Sequence, residues 1–169
     1  MRVMSTMPPR KRQPTTLLAA VAALLLLATS SLADPGPAHA GTAQTIESRV
    51  LTLINAARAE RGIGPLRLRA SLVDLAGDRA AKMAKTGVLK HPKCLACVLD
   101  RRGISYSGYG ETIAWTFPWG PEAAGKLFRI WKHSPPHWAI LMSPNLDRIG
   151  IGVAKRNNGS TWAAAVLTG

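Results

Sequence analysis

Acidic side chains are scarce in this chain: nine Asp and Glu stand against 22 Lys and Arg in 169 residues, a formal net charge of +13. An excess of this size points to an anionic partner or simply to a solvated basic surface. Aromatic residues are also few, at 5% of the chain, and none is interleaved with the basic positions, which argues against nucleic acid as the partner. There are two cysteines, enough for one disulfide. No internal repeat and no low-complexity segment follows the first forty residues, so the length suits one domain.

Long hydrophobic runs are missing too, with one partial exception. Residues 1–16 carry Arg2, Arg10, Lys11 and Arg12 with no acid, and 17–28 read LLAAVAALLLLA without a charge. Spanning a bilayer takes about 20 apolar residues, and this run is nearer a dozen, so it reads as the n-region and h-region of a signal peptide. Two small-x-small sites follow, ending at Ala33 and Ala40; the Pro-rich DPGPAHAG stretch reads as a poor helix, and cleavage is expected after Ala40. The division is then 1–40 as signal and cleavage region and 41–169 as a single secreted, periplasmic or cell-surface domain. That domain keeps 18 basic and 8 acidic residues, a net charge of +10. Its arginines and lysines look dispersed over helix faces. The partners this charge suits are an anionic wall polymer, lipid head groups or a host component, with no nucleic acid, and the chain is expected to be a monomer.

Cys94 and Cys97, in KCLAC, would form a disulfide in an oxidising compartment. A ring this small constrains little chain, so it adds modest stability. Haem attachment needs His after the second cysteine, where Val98 stands. A thioredoxin-like site needs a preceding strand, whereas an amphipathic helix precedes this motif. Zinc shared by the two thiolates and two histidines stays open as an alternative.

Hydrophobic periodicity organises the rest. Ile46, Val50, Leu53, Ile54 and Ala57 recur at helical spacing until Gly62 and Gly64, which predicts a first helix from Thr45. Pro65 introduces a short extended LRL. Leu72, Leu75, Ala76, Ala80, Met83 and Ala84 continue one stripe to Gly87, a second helix. Residues 88–110 read as a long ordered loop with a helical turn at VLDRR, and Pro121 opens a third helix that Pro135 stops. A short WAILM helix follows His137. RIGIGVA and TWAAAVL, separated by Asn157-Asn158-Gly159, predict a hairpin. This order argues for an α+β layered domain with an antiparallel sheet.

His91, Glu111 and His137 lie in segments punctuated by Pro and Gly, 20 and 26 residues apart. Each has an ordinary explanation in a satisfied backbone group. Spacing alone leaves them unassigned.

Ordered motifs carry more. VLTLINAARAERGIGPLRL with Asn55, Arg58, Gly62, Pro65 and Leu66, LKHP with His91, GYGETIAW with Glu111, and WKHSPPHWAILMSPNLDRIGIGV with Trp131, Ser134, Pro135 and His137 occur in sequence order. In these the chain resembles the SCP/CAP superfamily of cysteine-rich secretory, antigen 5 and pathogenesis-related proteins, in particular its small bacterial secreted branch. The resemblance runs from about Ile46 to the C-terminus. It implies a three-layer α-β-α sandwich and a cleft in which His91, Glu111 and His137 hold a divalent cation, often zinc. Thr112 stands where the family's Gly-Glu-Asn signature has Asn. No second glutamate accompanies Trp131, where Lys132, His133 and Ser134 follow, so an evident general base is missing. Glu111 and Ser134 are the weak catalytic candidates. An exported binding module is therefore the first expectation, with a metal-dependent hydrolase of peptide, ester or lipid as the alternative and an inert structural domain as the third.

Overall fold

A computed structural model describes the backbone of residues 37–169 and the side chains from residue 40 onward. The basic start, the apolar run and the Ala33 site lie outside the described residues. The chain forms α1 (Pro37–Ala59), β1 (Arg67–Leu68), α2 (Ala70–Thr86), α3 (Leu95–Arg101), β2 (Tyr109–Thr116), α4 (Ala123–Lys132), α5 (Pro135–Leu141), β3 (Arg148–Lys155) and β4 (Thr161–Thr168). Among the described residues no helix is long and apolar enough to cross a membrane.

The sheet has the order β1-β3-β4-β2. β4 is its spine. It pairs antiparallel with β3 on one side and β2 on the other, and all eight of its residues are buried. Alternation along β4 then sorts its side chains to two faces. Ala163, Ala165 and Leu167 join Ile149, Ile151 and Val153 of β3 beneath α1, α4 and α5, whose Ile46, Val50, Ile54, Leu127, Trp131 and Leu141 fill that layer. On the opposite face Val166 packs with Leu72 and Leu75 of α2, and Trp162 and Ala164 pack with Met83 and Ala84. Helices cover both faces, which gives the expected three-layer α-β-α sandwich.

The alternation of small residues in RIGIGVA has a steric cause. A Cβ at Gly150 would stand 1.9 Å from the carbonyl carbon of Leu72, and one at Gly152 would stand 2.2 Å from the backbone nitrogen of Gly77. Helix α2 thus rides directly on the backbone of β3. The hairpin turn is also as expected, with Gly159 at φ 81°.

Several expectations need correction. The sheet is mixed, because β1 pairs parallel with β3 through Arg67–Arg148 and Leu68–Ile149. Helix α1 begins at Pro37, eight residues before Thr45, since proline in the first helical position forgoes no bond. Cleavage after Ala40 would remove its first four residues. The segment read as a loop contains α3, and it ends in β2, so Glu111 is a strand residue. Pro135 starts α5 and does not stop α4, whose last residue is Lys132.

Two charges on α1 are structural. Arg58, 1% exposed, donates from Nε to the Gly64 carbonyl (2.7 Å), from Nη1 to those of Leu141 (2.8 Å) and Ser143 (3.0 Å), and from Nη2 to that of Leu146 (2.9 Å). It therefore ties α1 to the segment between α5 and β3. Burial holds its pKa below the usual guanidinium value, with Asp147 opposing. Glu47 accepts from the Val153 N–H (3.0 Å), a β3 donor beyond the reach of the short β1.

Burial raises the Glu47 carboxyl from 4.5 to about 7, partly offset by the Val153 N–H. A raised folded-state pKa makes this contribution full below the unfolded value and lost as pH climbs to about 7. Stability measured by urea unfolding should fall between pH 5 and pH 8. Allowing for solvent screening of a partly exposed group, the Glu47 share is about 1–2 kcal/mol. Glu47→Gln, which keeps the acceptor, should remove that share of the slope.

Candidate functional site

Three distant segments meet at one end of the sheet. His91 leaves the turn after α2, Glu111 is the third residue of β2, and His137 is the third of α5. Gly110 makes this convergence possible, because a Cβ there would lie 2.6 Å from Cγ2 of Ile140 on α5. A side chain at that position would force Ile140, which packs α5 against the strand, to shift. Together with Tyr109, Pro136 and Ile140, the three residues line a cleft of about 300 Å³.

Glu111 is buried, with its side chain 2% exposed, and both of its oxygens are engaged. Oε1 accepts from Nε of Arg79 (2.7 Å), and Oε2 accepts from Nη2 of Arg79 (3.3 Å) and from Nδ1 of His91 (2.8 Å). A carboxylate already accepting from a guanidinium accepts from His91 as well, so Nδ1 donates and Nε2 is the ring nitrogen left outside the pair. The same Arg79 donates from Nη2 to the Lys90 carbonyl (2.6 Å) and so holds the backbone beside His91. His91 is half exposed, and its ring lies 5.7 Å from that of His137 at an interplanar angle of 57°.

His137 is the less satisfied of the two. Its Nδ1 is buried without a hydrogen-bond partner among the described residues. Burial lowers its pKa below 6.5, His91 adds to the shift, and Glu111 opposes it. The imidazole is consequently neutral at pH 7, the state in which it can donate a lone pair.

His91, Glu111 and His137, the three ligands that the resemblance implies, lie together in this cleft. Among the described residues no group of three His, Cys, Asp or Glu side chains is arranged to hold a metal ion. Glu111, paired with a guanidinium, serves here to orient His91. The two imidazoles form a donor set that fits zinc chemistry, with the carboxylate behind one of them orienting its ring. Ser134 caps α5 by position, but its side chain makes no capping bond, and no hydrogen bond joins it to His137. The Cys94–Cys97 disulfide is formed, and Cys94 Sγ accepts from the Cys97 N–H (3.0 Å), which places the pair at the start of α3 and apart from the histidines' hydrogen bonds.

Sequence reasoning misses Arg79 as a member of the site. Its signal is positional: it lies four residues after Leu75 and four before Met83, within the apolar row of α2.

The comparisons with known proteins agree with this fold. YkwD of Bacillus subtilis is 28% identical over 120 residues, covering 69% of this chain and 44% of its own length, so the chain spans less than half of that relative. An outer surface protein from Borrelia burgdorferi superposes with a TM-score of 0.63 at 17% identity, over 73% of this chain and 91% of that one. An extracellular protein containing a SCP domain from Bacillus anthracis gives a TM-score of 0.63 at 18% identity, over 75% of this chain and 41% of that one. The sequence profile of CAP, the cysteine-rich secretory protein family, matches residues 51–167, and the chain belongs to that family.

Proposed function

We propose that this chain is an exported CAP-family binding module that acts outside the cytoplasm, with a cleft that holds a divalent cation, zinc by its donor chemistry, between His91 and His137. The observation that supports this most is the pairing of two differently prepared imidazoles: His91 with Nδ1 fixed by Glu111, and neutral His137 with a buried, unpartnered Nδ1. Glu111 acts from behind His91, and the basic surface meets an anionic wall polymer, lipid or host component. Extracellular and outer-surface relatives are consistent with export.

The geometry lends hydrolysis no comparable support. A hydrolytic site needs an assignable base, whereas Glu111 is held by Arg79 and Ser134 has no bond to His137.

Purified protein should take up about one zinc per chain, and at a hundredfold excess over Kd this would add about 2.7 kcal/mol of stability. His91→Ala combined with His137→Ala should abolish both the uptake and the shift, read by metal content and thermal unfolding. Unchanged zinc content in the double variant would remove the cleft as the site. Because His137 must be neutral, uptake should weaken as the pH drops below 6.5.

A further inference from the structure

Beside the histidine cleft, and sharing His91 and Pro92 with it, a larger groove of about 720 Å³ runs between α2 and the segment that carries α3. Six cations line it: Arg79, Lys82, Lys90, Lys93, Arg101 and Arg102. Asp78 is the one acid in the lining, and it is bound to Arg102. Arg79 is committed to Glu111. That leaves Lys82, Lys90, Lys93 and Arg101, all exposed and without an ion-pair partner among the described residues. Four like charges around one concavity repel one another. Their field favours a ligand bearing several negative charges.

The lining decides which polyanion. An acyl chain needs a continuous apolar slot, but Leu75 and Met83 on the floor are 1% and 2% exposed, and Val88, 54% exposed, is the one widely exposed aliphatic side chain in the lining. Bases of single-stranded nucleic acid need aromatic faces to stack on, and the groove contains no Phe, Tyr or Trp. The exposed lining then includes the four cations, the disulfide, His91 and Val88.

We propose that this groove binds a segment of a linear, phosphate-bearing glycopolymer of the cell-wall type, with Lys82, Lys90, Lys93 and Arg101 each meeting a phosphate. The proposal deepens the exported-binding-module reading and rests on its placement outside the cytoplasm, but it does not require the metal. The groove and the cleft share a wall, so a polymer chain in the groove passes directly by His91.

The test is titration of the full chain with short poly(glycerol phosphate), with single-stranded DNA of equal charge and with inorganic phosphate, across a range of salt. Four contacts give a slope of log K against log salt of about −3. Lys82→Glu, Lys93→Glu and Arg101→Glu together should weaken binding at least about 100-fold and flatten the slope below about −1, since each surface cation contributes about 1 kcal/mol. A control with the same charge change elsewhere, Arg49→Glu, Arg67→Glu and Arg129→Glu, should lose no more than about tenfold. Equal loss in the control would show a net-charge effect and overturn the groove. DNA binding as tight as the polymer would overturn the choice of ligand, and absence of polymer binding would overturn the proposal outright. Zinc uptake in the groove variants and polymer binding in the histidine variants separate the two readings, because each should survive the other's mutations.

Discussion

Arg58→Met should destabilise the domain by about 3–5 kcal/mol and lower its melting temperature by about 10–20 °C. The guanidinium spends four donor contacts on the carbonyls of Gly64, Leu141, Ser143 and Leu146, in a site that is 1% exposed. Methionine fills the volume but withdraws the donors from all four carbonyls; that of Ser143 keeps the Leu146 N–H (3.4 Å), while the buried carbonyls of Leu141 and Leu146 lose their guanidinium donor, and each buried unpaired acceptor costs about 1–3 kcal/mol before relaxation. Arg58→Lys should recover little. An ammonium on a flexible stem presents three donors from one atom, and it cannot span the four carbonyls that the Nε, Nη1 and Nη2 donors reach around the edge of the planar guanidinium. The consequence reaches the cleft as well. Leu141 closes α5, the helix that carries His137, so loss of this anchor should release that helix before the sheet melts. Hydrogen exchange at residues 138–146 rising ahead of exchange in β4 would be the signature, and a uniform rise would assign Arg58 to global stability alone.

The contrast between Arg58 and the remaining basic residues shows what the sequence concealed. A count of charges treats every arginine as a solvated face, and for most positions here that reading stands. Arg58 and Arg79 break it for the same reason. Arg58 follows Val50 and Ile54 at intervals of four, and Arg79 stands between Leu75 and Met83 at intervals of four. A long cation inside the apolar row of a helix must either snorkel to solvent or find partners inside, and both of these found partners. The interruption was visible in the pattern. The identity of the partners was not, because they lie on segments distant in the chain.

Strand β2 was hidden in a related way. Its start between Gly108 and Gly110 resembles a loop, and the strand that pairs with it along its full length, from Tyr109–Thr168 to Thr116–Thr161, comes almost fifty residues later. Local propensity cannot report a pairing made at that distance. The β3–β4 hairpin, by contrast, was legible because its turn residues and its alternating small and branched residues lie within one window. The parallel β1 reads from sequence as an extended piece and no more, since two residues carry no period. At the site, the three motif residues emerged through resemblance and the structure brings them into one cleft. The role of Glu111 could not be read from its motif, because it depends on what occupies the other side of the carboxylate.

That other side supplies the second large effect. Arg79→Met should cost about 3–5 kcal/mol, because it leaves a carboxylate that is 2% exposed without its cation and also frees the Lys90 carbonyl. If the loss comes from an uncompensated buried charge, neutralising the other partner should reverse it. Arg79→Met combined with Glu111→Gln should therefore regain about half or more of the lost stability, a coupling that a mere packing defect would not show. Metal affinity should move in the opposite direction to stability. In the native cleft the guanidinium neutralises Glu111 and repels a cation nearby. Without it, Glu111 can turn from orienting His91 to joining the two imidazoles as a third ligand, and zinc should bind at least about tenfold more tightly to Arg79→Met than to the native chain. Zinc should also raise the melting temperature of the variant more than that of the native protein. Tighter zinc in Arg79→Met that disappears in the Arg79→Met, Glu111→Gln pair would identify Arg79 as the residue that sets the cleft's charge. Equal zinc affinity in all three proteins would mean that the carboxylate stays behind His91 whatever faces it, and the cleft would then be a two-imidazole site by construction of the fold.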